Sequence, residues 1–259
     1  MGSYPWVSAF WTDVRQTVAP PRGAKDGLLP PLLVGLTVVT GLVDSFSYLV
    51  LGHVFVANMT GNVVFFAFAL AGVAGFSVTA SVVAVGCFAL GALAAGRLAR
   101  YLTGSPGQSP AGRRELLLGV TAGIEAVILA ETVTMAALAG RPLPAGLRYA
   151  LIVALSLAMG VQNATARKLA VPDLTTTVLT LTITGIAADS PIAGATGAHV
   201  ARRLISVAAM LVGALAGAVL VLRVHIVYPL VIALVILAAV ALAAVARARN
   251  PRTSPSPAM

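Results

Sequence analysis

Long apolar runs separated by short polar stretches dominate the chain. Eight stand out: Leu28–Leu51, Val54–Gly75, Ser77–Leu102, Leu116–Ala139, Leu147–Leu169, Leu174–Ala188, Leu204–Leu222 and Ile226–Val245. Lipid offers the backbone no hydrogen-bonding partner, so a crossing segment must be a helix of about 20 residues. The pattern therefore predicts an all-α polytopic membrane protein. Two runs depart from a plain span. Val54–Gly75 is interrupted by Asn58-Met59-Thr60-Gly61-Asn62, which no lipid-facing helix would choose. Leu174–Ala188 would rise only about 22 Å as a helix, against a hydrocarbon core of about 30 Å. The expected architecture is about six full transmembrane helices with two short or interrupted segments.

The order of motifs suggests a duplication. Gly41-Leu42-Val43-Asp44 resembles Gly160-Val161-Gln162-Asn163, Asn58-Met59-Thr60-Gly61-Asn62-Val63 resembles Asp173-Leu174-Thr175-Thr176-Thr177-Val178, and Gly91-Ala92-Leu93-Ala94 resembles Gly213-Ala214-Leu215-Ala216. The offsets are 119, 115 and 122 residues. A first membrane repeat at 28–139 and a second at 147–246 follow, joined by the Gly/Pro loop 140–146. Residues 247–259 form a charged, Pro/Ser-rich tail expected to be disordered. Residues 1–27 mix Tyr4, Trp6, Phe10 and Trp11 with Arg15, Arg22 and Lys25, which suits either a headgroup-level segment or an unstructured tail.

Charge selects between topologies. If all eight runs cross, the Lys and Arg residues divide 10 inside and 7 outside, with the N-terminus inside. If the two unusual runs enter and leave on one side, only Arg141, Arg148 and Arg223 face out, and the division is 14 to 3. The second arrangement obeys the positive-inside rule far better. Three crossings per half is an odd number, so the two repeats would be inverted, with both termini cytoplasmic.

Composition supports this reading and removes others. The chain has 259 residues, 59% hydrophobic and 10% charged, and a mean hydropathy of +0.96. Its net charge of +9 does not indicate nucleic acid, because the basic residues sit at the ends of apolar runs instead of clustering on a soluble face. Cys87 stands alone in an apolar run and reads as a packing residue. No cofactor or metal motif is present in the sequence, and His53, His199 and His225 lack ligand spacing.

Candidate functional residues are the polar groups within the apolar runs. Asp44 and Glu125 lie deep enough for a charge to be expensive, and either is a candidate for proton coupling. Glu131 follows Glu125 by six residues, about 240° around a helix, so the two do not share a face. Inverted repeats with broken segments at matching positions point to a transport site near the bilayer midplane. The candidate solute-binding residues are Asn58, Thr60, Gly61, Asn62, Gln162, Asn163, Asp173, Thr175, Thr176 and Thr177. Each break ends in a residue able to cap a helix, so two half-helices could aim unpaired N–H groups at one anion. Asn and Thr side chains can instead join helices to one another without a ligand. The runs Gly119-x-x-x-Gly123 and Gly213-x-x-x-Gly217 permit close helix packing.

The stretches GLVDSFSYLVLGHVFVANMTGNVV and GVQNATARKLAVPDLTTTVLTLTITG resemble the YoaK-like family of bacterial inner-membrane proteins, a domain of unknown function. The resemblance extends from about Leu28 to Val245. It implies a multi-pass protein, commonly drawn with six helices, and brings no substrate or activity with it.

Three readings compete. A secondary transporter of a small polar or anionic solute, proton-coupled through a buried acid, fits the inverted repeat and the polar breaks. A channel would use such breaks too, yet it would line a continuous pore with polar positions. A non-transporting scaffold or an enzyme subunit is the third, although no nucleophile, metal or phosphate-cradling motif argues for an enzyme. The expected partners are the lipid bilayer and a small solute, with self-association left open. Cysteines placed at Ser105 and Ala145, after Cys87 is replaced, should label from opposite sides of the membrane with an impermeant reagent. Labelling of both from the outside would defeat the six-crossing topology.

Overall fold

The computed structural model describes residues 5–21, 24, 26–103, 110–139, 142–172, 174, 179–190 and 200–249. Among them the chain is helical: α1 (Pro5–Val18), α2 (Leu29–Val50), α3 (Met59–Leu70), α4 (Val78–Thr103), α5 (Pro110–Leu138), α6 (Ala145–Leu169), α7 (Leu179–Ala188), α8 (Val200–Arg223) and α9 (Tyr228–Arg249). Six of these, α2, α4, α5, α6, α8 and α9, are long and apolar enough to cross a membrane. The fold is an all-α polytopic membrane protein. The six long helices coincide with the six uninterrupted apolar runs.

Helix ends follow local chemistry. Pro30 and Pro31 open α2, where their missing N–H groups would have had no partner. At the far end Gly52 adopts φ +96°, and the His53 N–H donates to the Tyr48 carbonyl at 3.1 Å, which closes the helix with a left-handed turn. The end of α3 repeats the device, with Gly72 at φ +83° and the Val73 N–H donating to the Phe68 carbonyl at 3.0 Å. Twelve residues give α3 a rise of only about 18 Å, too short to span.

The stretch from His53 to Phe76 enters and leaves the bundle at one end. His53 Nδ1 lies 3.0 Å from the Gly75 carbonyl oxygen, and the His53 and Phe76 rings are 5.7 Å apart, so the two ends of the excursion meet. Its tip reaches Asp44, seven residues and about 10 Å of helix below Leu51. A cluster of rings, Phe55, Phe65, Phe68 and Phe76 with Tyr48 of α2, holds the hairpin together and against α2.

Packing between the two halves is reciprocal. Helix α2 packs on α8 and α4 on α6; α5 packs on α6 and α2 on α9; α3 packs on α4 and α7 on α8; α5 and α9 pack on each other. The first two crossings need glycine. A β-carbon on Gly41 would sit 2.6 Å from the Met210 carbonyl oxygen and the Ala214 nitrogen, and one on Gly160 would collide with the Phe88 carbonyl and lie 3.0 Å from the Ala92 nitrogen. Likewise, Gly213 meets the Val38 carbonyl and Gly91 the Leu157 carbonyl. The partners correspond one to one, with offsets of 119 residues on α2/α6 and 122 on α4/α8. Ser45 adds a bond across the first crossing, donating its hydroxyl to the Ala214 carbonyl at 2.8 Å.

At the end of the bundle where α2 begins, ion pairs join neighbouring helices: Arg202 with Asp13 (3.4 Å), Arg114 with Asp26 (3.2 Å) and Arg247 with Glu115 (3.6 Å). Arg114 also donates to the Leu169 carbonyl, tying α5 to the end of α6. Residues 5–18 are therefore an ordered helix, α1, docked on α8, which excludes a wholly unstructured N-terminal tail. Asp13 also accepts the Arg202 N–H in the first turn of α8, where the helix dipole favours an acid.

Overpacking a helix contact costs about 1–3 kcal/mol, and here the obstruction is backbone that cannot rotate away. Gly41→Val and Gly160→Val should each lower the thermal midpoint strongly and by similar amounts, since their contacts correspond. Gly86→Ala, with nothing within 4 Å of its β-carbon, should be neutral. A mild effect for either valine variant would contradict the close crossings.

Candidate functional site

The polar break of the first half is built around Asp44. Its side chain is almost fully enclosed, and Oδ1 accepts the backbone N–H groups of Val56 (3.0 Å) and Ala57 (2.9 Å) while Oδ2 accepts the Asn58 side-chain amide. Asn62, fully buried, completes the arrangement: its Oδ1 accepts the Phe55 N–H at 2.9 Å and its Nδ2 donates to the Phe55 carbonyl. Residues 55–57 are not helical, so their N–H groups would be orphaned at this depth without those two side chains. Asp44 and Asn62 supply the acceptors that a helix would have supplied internally.

This geometry revises the expectation for the break. Helix α3 begins at Met59, not after Asn62, and Asn58 at its start makes no side-chain cap. The amide of Asn62, within the first turn, reaches back to Phe55 instead. The anion at the approach to α3 is the carboxylate of Asp44, so no solute anion is needed to balance those donors. Gly61 is confined by the Phe55 ring, 2.8 Å from where a β-carbon would lie, and Thr60 is exposed.

The second half places its described candidates elsewhere. Gln162 is fully buried on α6 and reaches α2, with Nε2 donating to Thr40 Oγ1 at 2.8 Å and to the Leu36 carbonyl at 3.3 Å. Its Oε1 has no hydrogen-bond partner. Asn163 turns onto its own helix and donates to the Met159 carbonyl at 2.9 Å. Asp173, Thr175, Thr176 and Thr177 lie outside the described residues.

Glu125, 1% exposed on α5, has an Oε2 with no partner, and Ser156 and Thr165 on α6 carry buried hydroxyls in the same condition. Helices α5 and α6 are antiparallel and joined at Arg114 and Leu169. Measured from that tie, Gln162 lies about 10 Å deep, Glu125 about 16 Å and Ser156 about 20 Å, by helix rise alone. Of the described candidates, Asp44, Asn58 and Asn62 form a hydrogen-bonded clasp, while Glu125 and Gln162 keep buried polar atoms without a hydrogen-bond partner among the described residues. Glu131 is exposed on the other side of α5. Among the described residues no three His, Cys, Asp or Glu side chains are grouped so as to hold a metal.

Residues 32–243 match the family described as Protein of unknown function (DUF1275). The chain belongs to that family. It is similar to the UPF0700 transmembrane protein YoaK of Bacillus subtilis (strain 168), with 32% identity over 161 residues, 61% of this chain and 65% of that protein. The matched stretch is thus just under two thirds of that relative's length. No solved structure matches the chain.

In this DUF1275 chain Glu125 Oε2 and Gln162 Oε1 are buried acceptors without a hydrogen-bond partner among the described residues. Ser156 and Thr165 escaped the sequence reading because an isolated hydroxyl in an apolar helix usually bonds its own backbone, as Thr121 and Thr132 do here.

Each N–H left without an acceptor costs about 1–3 kcal/mol. Asp44→Ala and Asn62→Ala should therefore destabilise the protein severely, whereas Asp44→Asn should cost less, because its amide oxygen can keep the Val56 and Ala57 N–H groups and only the Asn58 amide must turn over. Thr60→Ala should be silent. Thermal unfolding of purified variants checks this, and a wild-type midpoint for Asp44→Ala would show that the clasp carries no stability.

Proposed function

We propose that this protein is a secondary transporter of a small polar or anionic solute, built as an inverted repeat and coupled to protons through Glu125. The observation that carries the reading is the one-to-one correspondence of the glycine crossings, Gly41 and Gly213 with Gly160 and Gly91. Contacts that map onto each other with the partners exchanged are what a two-fold relation between halves produces. With three long helices in each half, that relation would run the halves in opposite directions through the membrane. The short helices α3 and α7, at matching places in the two halves, fit the same plan.

In such proteins the solute site lies near the midplane, between the repeats. The packing of α5 on α6 and α9 and of α2 on α9 and α6 supports a site among these helices, two of which carry the unpartnered polar atoms of Glu125 and Gln162. A buried carboxyl without a partner has a reason to remain if it takes up and releases a proton during a cycle. Asp44 then serves to hold the re-entrant hairpin, and the coupling role passes to Glu125. Orientation follows the positive-inside bias, with both termini in the cytoplasm of a bacterial inner membrane, and no catalytic step is assigned.

The test uses proteoliposomes containing a trapped pH dye, challenged with a panel of amino acids, small carboxylates and phosphate. At least one solute should produce a saturable proton flux. Glu125→Gln should abolish that flux while solute exchange without a gradient persists, and Asp44→Ala should reduce the folded fraction instead. Full gradient-driven accumulation by Glu125→Gln would reject the coupling role, and unsaturable flux would favour a channel.

A further inference from the structure

At the end of the bundle opposite α1, a cavity of about 170 Å³ lies between the end of α2, the α3–α4 connection and the first turn of α6. Arg148 and Tyr149 form one wall, and Gly52, Gly75 and Ser77 the others. Arg148 is only partly exposed, and its guanidinium passes 3.7 Å from where a β-carbon on Gly52 would lie. The left-handed Gly52, at φ +96°, keeps this wall free of a side chain. Tyr149 places its hydroxyl 3.4 Å from Ser77 Oγ, which itself accepts the Ala80 N–H at 3.2 Å.

The charge of Arg148 has no internal explanation. Among the described residues it makes no ion pair or side-chain hydrogen bond. The described connections at this end, 51–58, 71–77, 142–144 and 224–227, contain no Asp or Glu, whereas they hold His53 and His225. Asp44, on the helix that ends beside Gly52, is already committed to the Val56, Ala57 and Asn58 donors, and Glu131 on α5 is exposed and forms no ion pair with Arg148. A cation in the first turn of a helix also opposes the dipole, so Arg148 does not serve α6. At the other end Arg114, Arg202 and Arg247 each meet a carboxylate. A half-buried guanidinium without one carries a desolvation penalty that a bound oxyanion would offset.

We infer that the Arg148 cavity is an oxyanion-binding site, taking a carboxylate or phosphate group. The guanidinium presents paired N–H donors that match such a group, and the Tyr149 hydroxyl can add a third. The volume holds roughly five waters at about 30 Å³ each, enough for phosphate or a small dicarboxylate. The source is either a dissolved anion or the phosphate of a lipid headgroup. The inference does not rest on the transport reading, since binding is measured without flux.

The experiment is thermal unfolding of the full chain in detergent, titrated with inorganic phosphate, sulfate or malonate at constant ionic strength. At least one anion should raise the midpoint by several degrees and saturate. Arg148→Gln should lose that rise, Arg148→Lys should retain a weakened one, and Tyr149→Phe should need a severalfold higher concentration. Should Arg148→Gln fail to fold, the Lys and Phe variants decide. Repeating the titration in nanodiscs separates the sources: a response kept in neutral lipid and absent with phosphatidylglycerol identifies a headgroup as the competing occupant, and an equal response in both identifies a dissolved anion. No saturable rise with any anion, or an equal rise in Arg148→Gln, overturns the site.

Discussion

Close approach of helix backbones at four glycines underlies everything else in this bundle. Where α2 meets α8 and α4 meets α6, carbonyl and amide groups of one helix occupy the space of a side chain on the other. In lipid there is little hydrophobic drive to bring helices together, so contact area between backbones and the dispersion it provides become decisive. These crossings seat α2 on α8 and α6 on α4, and α2 and α6 carry Asp44 and Gln162. A bulkier residue at Gly41 or Gly213 would displace the helix that carries Asp44, and one at Gly91 or Gly160 the helix that carries Gln162.

A second constraint acts within that frame. The hairpin from His53 to Phe76 brings non-helical backbone into the bundle, and such backbone survives only if every N–H finds an acceptor. Asp44 and Asn62 meet that requirement for Phe55, Val56 and Ala57. Two polar residues that read naturally as ligands for a solute are thereby explained as ligands for the chain itself. Glu125, Gln162, Ser156 and Thr165, by contrast, keep buried polar atoms that meet no partner among the described residues.

The two ends of the bundle also differ in how they treat charge. Where α2 begins, arginines find carboxylates on neighbouring helices, and such pairs hold helix ends in register while adding little stability each, about 0–1 kcal/mol. The opposite end has basic residues and no acid in its connections. That imbalance gives the opposite end an anion-attracting character independent of any account of transport.

Much of this was legible from residues alone. Apolar runs long enough to span, with Gly/Pro connections, determine six helices because lipid admits no other backbone conformation; α2, α4, α5, α6, α8 and α9 coincide with those runs for that reason. The short α3 was visible in Asn58–Asn62, and the pairing of Gly41 with Gly160 and Gly91 with Gly213 was visible as repeated letters. Their meaning was not, because a glycine in a helix has no signal for which backbone it faces. Nor could the sequence tell Asp44 from Glu125, two acids at similar depth in apolar runs. Only the tertiary structure decided that the tip of a hairpin twelve residues along the chain consumes the lone pairs of one, while the other meets no donor at Oε2. Hydrogen-bond satisfaction is a property of three-dimensional neighbours, and neither spacing nor composition encodes it.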